Sequence, residues 1–326
     1  MKKRTRKLPE RAPDPQDDAT LGIMPTPLPT GTAPEPEPEP EVIHRPPAAL
    51  QLQLLLTEPL TLTPELLQQA LGQSLPAQLF KVEKAAGGVI TLRCFGRLYR
   101  LSCHAQGVAK ERFEHVLMLG PGGEVLQQVI DTHPAHWDLL QLEGGQGSGM
   151  GEALMGSMQL MHLSAFLCQG LEGKVHPHGV LWNTSDMVTG WGHFLELVND
   201  TFVGMKKQKV GDESAAEHLP ANLWVGLHAQ DKTEGGWCRT QGLEQFTGYE
   251  LEMTIPNWDY QQVAAYLMMA VRYLYQNGQI RVGEYVGLSE ELVKYFMMQP
   301  RKSSPDEAKL FAMEPSPAGQ TGAGGR

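Results

Sequence analysis

The chain has 326 residues, 41% of them hydrophobic and 20% charged, with a formal net charge of −10. That composition supplies an ordinary globular core, and its acidic surplus opposes binding to phosphate backbones or anionic lipid. Membrane spanning is excluded as well, because every apolar run stops short of the roughly 18 residues a spanning helix needs; the nearest, YLMMAVRYLY, carries Arg272 at its centre.

Residues 1–48 read as a separate arm. Five of residues 2–7 are basic, and acidic, proline-rich sequence follows, with Pro and Glu alternating from Pro34 to Glu41. Such a run can neither build a helix ladder nor bury a face, so it is expected to stay extended and solvated. Leu8-Pro9-Glu10 interrupts what would otherwise be the start of a signal peptide, which makes a cytoplasmic location the expectation.

The folded part begins at Leu50. Leu52, Leu54 and Leu56 alternate as in a strand, and Thr63-Pro64-Glu65 opens a helix with a capping hydroxyl and a first-turn proline. Gly87-Gly88 separates short strands, Val89–Phe95 and Leu98–Cys103 form a hairpin around Gly96, and Glu114–Leu119 is a further strand. Residues 49–131 thus read as a small α+β unit.

A second unit spans 132–299. His136–Glu143 is a strand, and a glycine-rich loop leads into a helix bearing Leu154, Met158, Met161, Ala165 and Cys168 on one stripe. Val180–Trp182 is a buried strand. Ser185 is placed as the cap of a helix with Val188, Trp191, Leu195, Val198 and Phe202 facing inward. Leu223–Leu227 and Thr247–Ile255 read as strands. The last long helix is capped at Asn257 or Asp259, faces the core with Val263, Leu267, Ala270, Val271 and Leu274, and stops at Asn277-Gly278. Residues 300–326 read as a disordered tail. The whole is an α+β protein with mixed or antiparallel sheets, helices packed on one face, and two units of similar construction.

Motifs that could carry chemistry are few. The run EGGQGSGMGEA lies where a phosphate loop would, but it lacks both the G-x-G-x-x-G spacing and the P-loop lysine, and Glu152 would repel phosphate. Cys94, Cys103, Cys168 and Cys238 are scattered without a C-x-x-C pair and are expected to be reduced and partly buried. Zinc needs three or four donors. The pairs His133/His136 and His176/His178 have no flanking acid or cysteine, so no metal set and no cofactor is expected, and His136 is read as a structural histidine at a strand start. Cys103 and His104, adjacent in a strand, point to opposite faces and cannot act as a pair. Glu250 and Glu252 share one face of the strand YELEM. Paired carboxylates suit acid/base work, but a solvated charged network with Arg239 is the plainer reading. Among the tryptophans, Trp237 beside Gly235-Gly236 is the candidate for an exposed partner anchor.

The segments HPAHWDLLQLEG, GVLWNTS, LPANLWVGLHAQ, TQGLEQFTGYELEM and YLYQNGQIRVGEYVGL together resemble the bacterial domain of unknown function 4261 family, from about His133 to Leu288 and more loosely over 50–131. The most specific part is Thr240, Gly242, Leu243, Phe246, Glu250, Leu251 and Glu252 in the pattern T-x-G-L-x-x-F-x-x-x-E-L-E. The resemblance implies a soluble bacterial protein and transfers no catalytic residue. The expected function is therefore non-catalytic binding of another protein. The alternative is a hydrolase or small-ligand enzyme using Glu250, Glu252 and His136.

Overall fold

The computed structural model describes residues 49–120, 123–142, 149–207, 218–230, 236–254, 260–278, 285–287, 295–300 and 310–315. Eight strands, β1 (Gln51–Leu56), β2 (Phe80–Ala86), β3 (Val89–Cys94), β4 (Arg97–His104), β5 (Leu117–Leu119), β6 (Ala135–Gln141), β7 (Pro177–Trp182) and β8 (Met187–Gly190), form one sheet. Their order is β2-β3-β4-β6-β1-β7-β8-β5. Only the β5–β8 pair is parallel among these neighbours. β1 lies between β6 and β7, so strands from either side of residue 131 share one sheet. The boundary expected at 131/132 therefore runs through a sheet rather than between two units, because the buried β1 needs strand partners on both edges to satisfy its backbone N–H and C=O groups.

Local chemistry starts the first helix where the pattern places it. The Leu66 N–H donates to Thr63 Oγ1 (3.2 Å) at the head of α1 (Pro64–Ser74). α3 (Met150–Gly170) is buried nearly all round, and α1 packs against it. Arg97 ties β4 to that helix, donating to Gln159 Oε1 (2.7 Å) and to the Glu152 carboxylate (2.6 Å).

Two helices depart from expectation. α2 (Gly123–Thr132) falls where no helix was expected. Leu126 and Ile130 pack on Leu181 and Val188. Those two side chains point away from Trp182 and Met187, which belong to the main core, so α2 covers part of the second face of the sheet. The helix expected after Ser185 begins only at Trp191, as α4 (Trp191–Lys207). Asp186 turns the chain at φ 53°, and β-branched Val188-Thr189 enters the sheet in β8 instead.

A second sheet has the order β12-β13-β14-β11-β10-β9. Its strands are β9 (Gly226–Gln230), β10 (Trp237–Gln241), β11 (Glu250–Thr254), β12 (Tyr285–Gly287), β13 (Tyr295–Pro300) and β14 (Leu310–Pro315). Of the strand expected over Leu223–Leu227, Leu223 and Trp224 fall instead in a helical turn, α5 (Ala221–Trp224), and Glu244–Thr247 is another (α6). β14, from the C-terminal segment, pairs parallel to β11 and antiparallel to β13. The last long helix, α7 (Tyr260–Asn277), buries Val263, Leu267, Ala270, Val271 and Leu274 as its periodicity requires, and Gly278 at φ 86° ends it. Its expected caps at Asn257 and Asp259 lie outside the described residues, as do residues 1–48, most of the glycine-rich loop and Trp258. The result is an α+β architecture with mixed, mostly antiparallel sheets.

Candidate metal centre

Strand register builds a donor cluster that linear spacing conceals. In the β4–β6 ladder His104 lies opposite His136, and Ser102 opposite Asp138. In the β1–β6 ladder Gln53 lies opposite Asp138. Residues two apart on a strand share a face, and directly opposed residues share it too. His104, His136, Asp138 and Gln53 therefore converge on one side of the sheet, while Cys103, Trp137 and Leu139 turn to the other.

The distances follow from that register. His104 Nε2 is 3.1 Å from Asp138 Oδ2, and His136 Nε2 is 3.9 Å from Asp138 Oδ1. The ligand atoms of all three lie within 4.8 Å of one another. Two donors bound to one ion at about 2.1 Å, at tetrahedral or octahedral angles, stand roughly 3.0–3.4 Å apart, so small side-chain rotations complete the set. The imidazoles are stacked with centroids 4.4 Å apart and planes 10° from parallel.

Outer contacts hold the donors in ligating form. His136 Nδ1–H donates to the Gln106 carbonyl (2.8 Å), which turns the Nε2 lone pair toward Asp138. Gln53 Nε2 donates to Asp138 Oδ1 (2.7 Å). A lone pair and a carboxylate oxygen facing each other repel unless a proton or cation lies between them. Metal-bound histidines characteristically donate their second N–H to a carbonyl, and ligating carboxylates are themselves hydrogen-bonded, as both are here. Burial pushes the His136 imidazole below the ordinary histidine range, with the Gln106 bond and the Asp138 charge opposing. His136 is buried, while His104 and Asp138 are half-exposed, so the cluster opens to solvent on one side. The spacing His136-x-Asp138 already puts an imidazole and a carboxylate on one strand face, so the expectation that these histidines have no flanking acid is corrected; only the pairing of β4 with β6 adds His104.

The other candidates take different places. His133 accepts from the Val108 N–H at Nε2 (2.9 Å) and donates from Nδ1 to the Val129 carbonyl (3.0 Å), a structural bridge between loop and helix. All four cysteines are free, and burial pushes Cys94 up to about 12 and Cys238 up to about 11.

Glu250 and Glu252 are on the six-stranded sheet, and both are buried rather than solvated. Glu250 accepts from Thr240 Oγ1 (2.6 Å) and from the N–H groups of Gly242 (2.7 Å), Leu243 (3.2 Å) and Glu244 (3.1 Å). Both its oxygens are thus engaged in closing the turn between β10 and β11. Glu252 accepts from Arg239 Nη2 (2.9 Å) and Nε (3.2 Å), which realises the expected pairing at a buried position. Trp237 is half-buried, donates to Gln230 Oε1 (2.8 Å), and carries the Arg239 guanidinium 4.8 Å above its ring. The structure therefore does not bring the glutamates together with His136, which is on the other sheet.

Neither protein-family models nor curated proteins match the chain. A crystal structure of a protein described as a SUFU (suppressor of fused protein) homolog from Neisseria gonorrhoeae FA 1090 is similar over 37% of this chain and 78% of that one, at 13% identity and a TM-score of 0.25. A likeness at that level carries no argument about fold or function.

Proposed function

We propose that this is a metal-binding protein, holding a divalent transition ion of the zinc type on His104, His136 and Asp138. The observation that supports the reading is the convergence of three donors within 4.8 Å, oriented by Gln106 and Gln53. Two imidazoles and one carboxylate suit a borderline ion better than magnesium or calcium, which prefer oxygen donors. Three protein ligands also leave coordination positions for water or an incoming donor, the arrangement of a reactive or ligand-receiving site rather than a closed structural one. When bound, the ion would supply Lewis acidity at the open side of the sheet. The residues of the chain hold it, fix the His136 tautomer and pull Asp138 into place.

The reading leaves room for a protein partner, whose own histidine or carboxylate could complete the coordination. That partner, a cytoplasmic location and kinship with the domain of unknown function 4261 family are parts of the same proposal. They are supported by the acidic charge, by the T-x-G-L-x-x-F-x-x-x-E-L-E residues, and by the lack of any helix, among the described residues, long and apolar enough to cross a membrane.

Calorimetric titration of the chelator-treated protein with zinc is expected to give one ion per chain. His104→Ala and Asp138→Ala should each weaken binding by at least about a hundredfold, since even outer-shell partners are worth about 10–100-fold. Variants that bind zinc as the wild type does would overturn the proposal.

A further inference from the structure

A cavity of about 910 Å³ opens between α3 and α4, walled by Phe166, Trp191, Leu195, Val198 and Phe202, with His162 in its lining. It arises because the apolar stripe of α4 is only partly covered. Trp191 and Leu195 are half-exposed and Phe202 is 42% exposed, although their spacing reads as a core-facing face. Gln169, Glu172 and Asn199 add polar groups to the lining and are themselves exposed. An apolar hollow edged with polar groups, in this size range, is the usual form of a small-molecule site.

His162 distinguishes this hollow from an ordinary surface dimple. Its residue exposure is 7%. Nδ1–H donates to the Met158 carbonyl (2.7 Å), which fixes the tautomer and leaves Nε2 as an acceptor. Nε2 is buried and has no hydrogen-bond partner among the described residues. Burial also holds this imidazole below the ordinary histidine range, so Nε2 carries a lone pair rather than a proton. Buried polar atoms are nearly always satisfied, and one left unmade in a cavity wall marks a place for a partner. The Phe202 ring, 6.0 Å from that of His162, is an exposed part of the wall.

We infer that the α3–α4 hollow binds a small amphipathic molecule with a flat apolar body and one O–H or N–H group, which donates to His162 Nε2. A purely apolar occupant would leave the acceptor unmade. An anionic one would meet Glu172 in the lining and the acidic net charge. The aromatic lining favours a ring system over an alkyl chain.

A matched pair of probes tests this. 2-Naphthol has the donor, and 2-methoxynaphthalene has the same body without it. Titrations followed on the Trp191 indole N–H resonance in ¹H–¹⁵N spectra are expected to show naphthol binding about tenfold more tightly, the scale of one buried hydrogen bond. His162→Phe should erase the difference while both compounds still bind. His162→Gln, which retains an acceptor, should keep part of it and serves if the phenylalanine variant does not fold. Equal affinities in the wild type, a preference that survives His162→Phe, or no shift at Trp191 with either compound would overturn the inference.

Discussion

Glu250 holds its carboxyl inside the protein against four donors, and two forces act on its proton. Burial pushes it up to about 8, while Thr240 and the backbone N–H groups of Glu244 and Gly242 pull it down and nearby Glu244 pushes it up. Raised above the ordinary 4.5, the folded state binds a proton that the unfolded chain has already lost. Its contribution to stability is therefore complete below about 4.5 and is lost as pH rises through about 8. Buried His133 and His162 act in the opposite direction: lowered from 6.5, they contribute stability that is lost as pH falls. Comparison with Glu250→Gln isolates the carboxyl. Chemical denaturation between pH 5 and 8 should show the wild type losing stability relative to the variant as pH rises. A constant difference between the two would mean that Glu250 is ionised throughout.

At the scale of elements, the turn from β10 to β11 shows how one short motif closes on itself. Glu250 collects the N–H groups of Gly242, Leu243 and Glu244 at the start of α6. Gln245 Nε2 donates to the Trp224 carbonyl (2.8 Å), while Gln245 Oε1 accepts from Thr184 Oγ1 (2.9 Å). Gly242, at φ 94°, packs closely on its neighbours, and a Cβ there would be 2.6 Å from the Trp224 carbonyl oxygen. Gly242→Ala should lose about 1–3 kcal/mol from backbone strain alone, with the steric clash added. A melting temperature unchanged by that substitution would show that the turn is not pinned in this way. Thr240, Gly242, Leu243, Glu250 and Glu252 are thus accounted for as parts of a folding device. Its two glutamates read as a surface pair because alternation reveals which face they share, not what covers that face.

For the whole molecule, legibility followed the range of the interactions. α7 was readable because its periodic burial is local to one helix, α3 because its apolar run is nearly continuous, and β1 because leucine alternation is equally local. The start of α4 was misplaced because a positive φ at Asp186 is invisible in a pattern of apolar spacings. α2 was missed although Leu126, Val129 and Ile130 have helical spacing, since the glycines before it drew attention as a strand end. The donor cluster was beyond reach for a stronger reason. His136 and Asp138 share one face of β6, but His104 joins them only when β4 and β6 pair in one register, and Gln53 joins only because β1 is inserted beside β6. A one-residue slip of either ladder would turn its donors to the opposite face.

X-ray absorption at the zinc edge of the loaded protein tests that cluster most directly. Two imidazole shells with oxygen ligands, all at about 2.0–2.2 Å, are expected from His104, His136, Asp138 and solvent. A sulfur shell near 2.3 Å, or oxygen ligands without imidazole, would place the ion elsewhere and contradict the metal centre on the sheet.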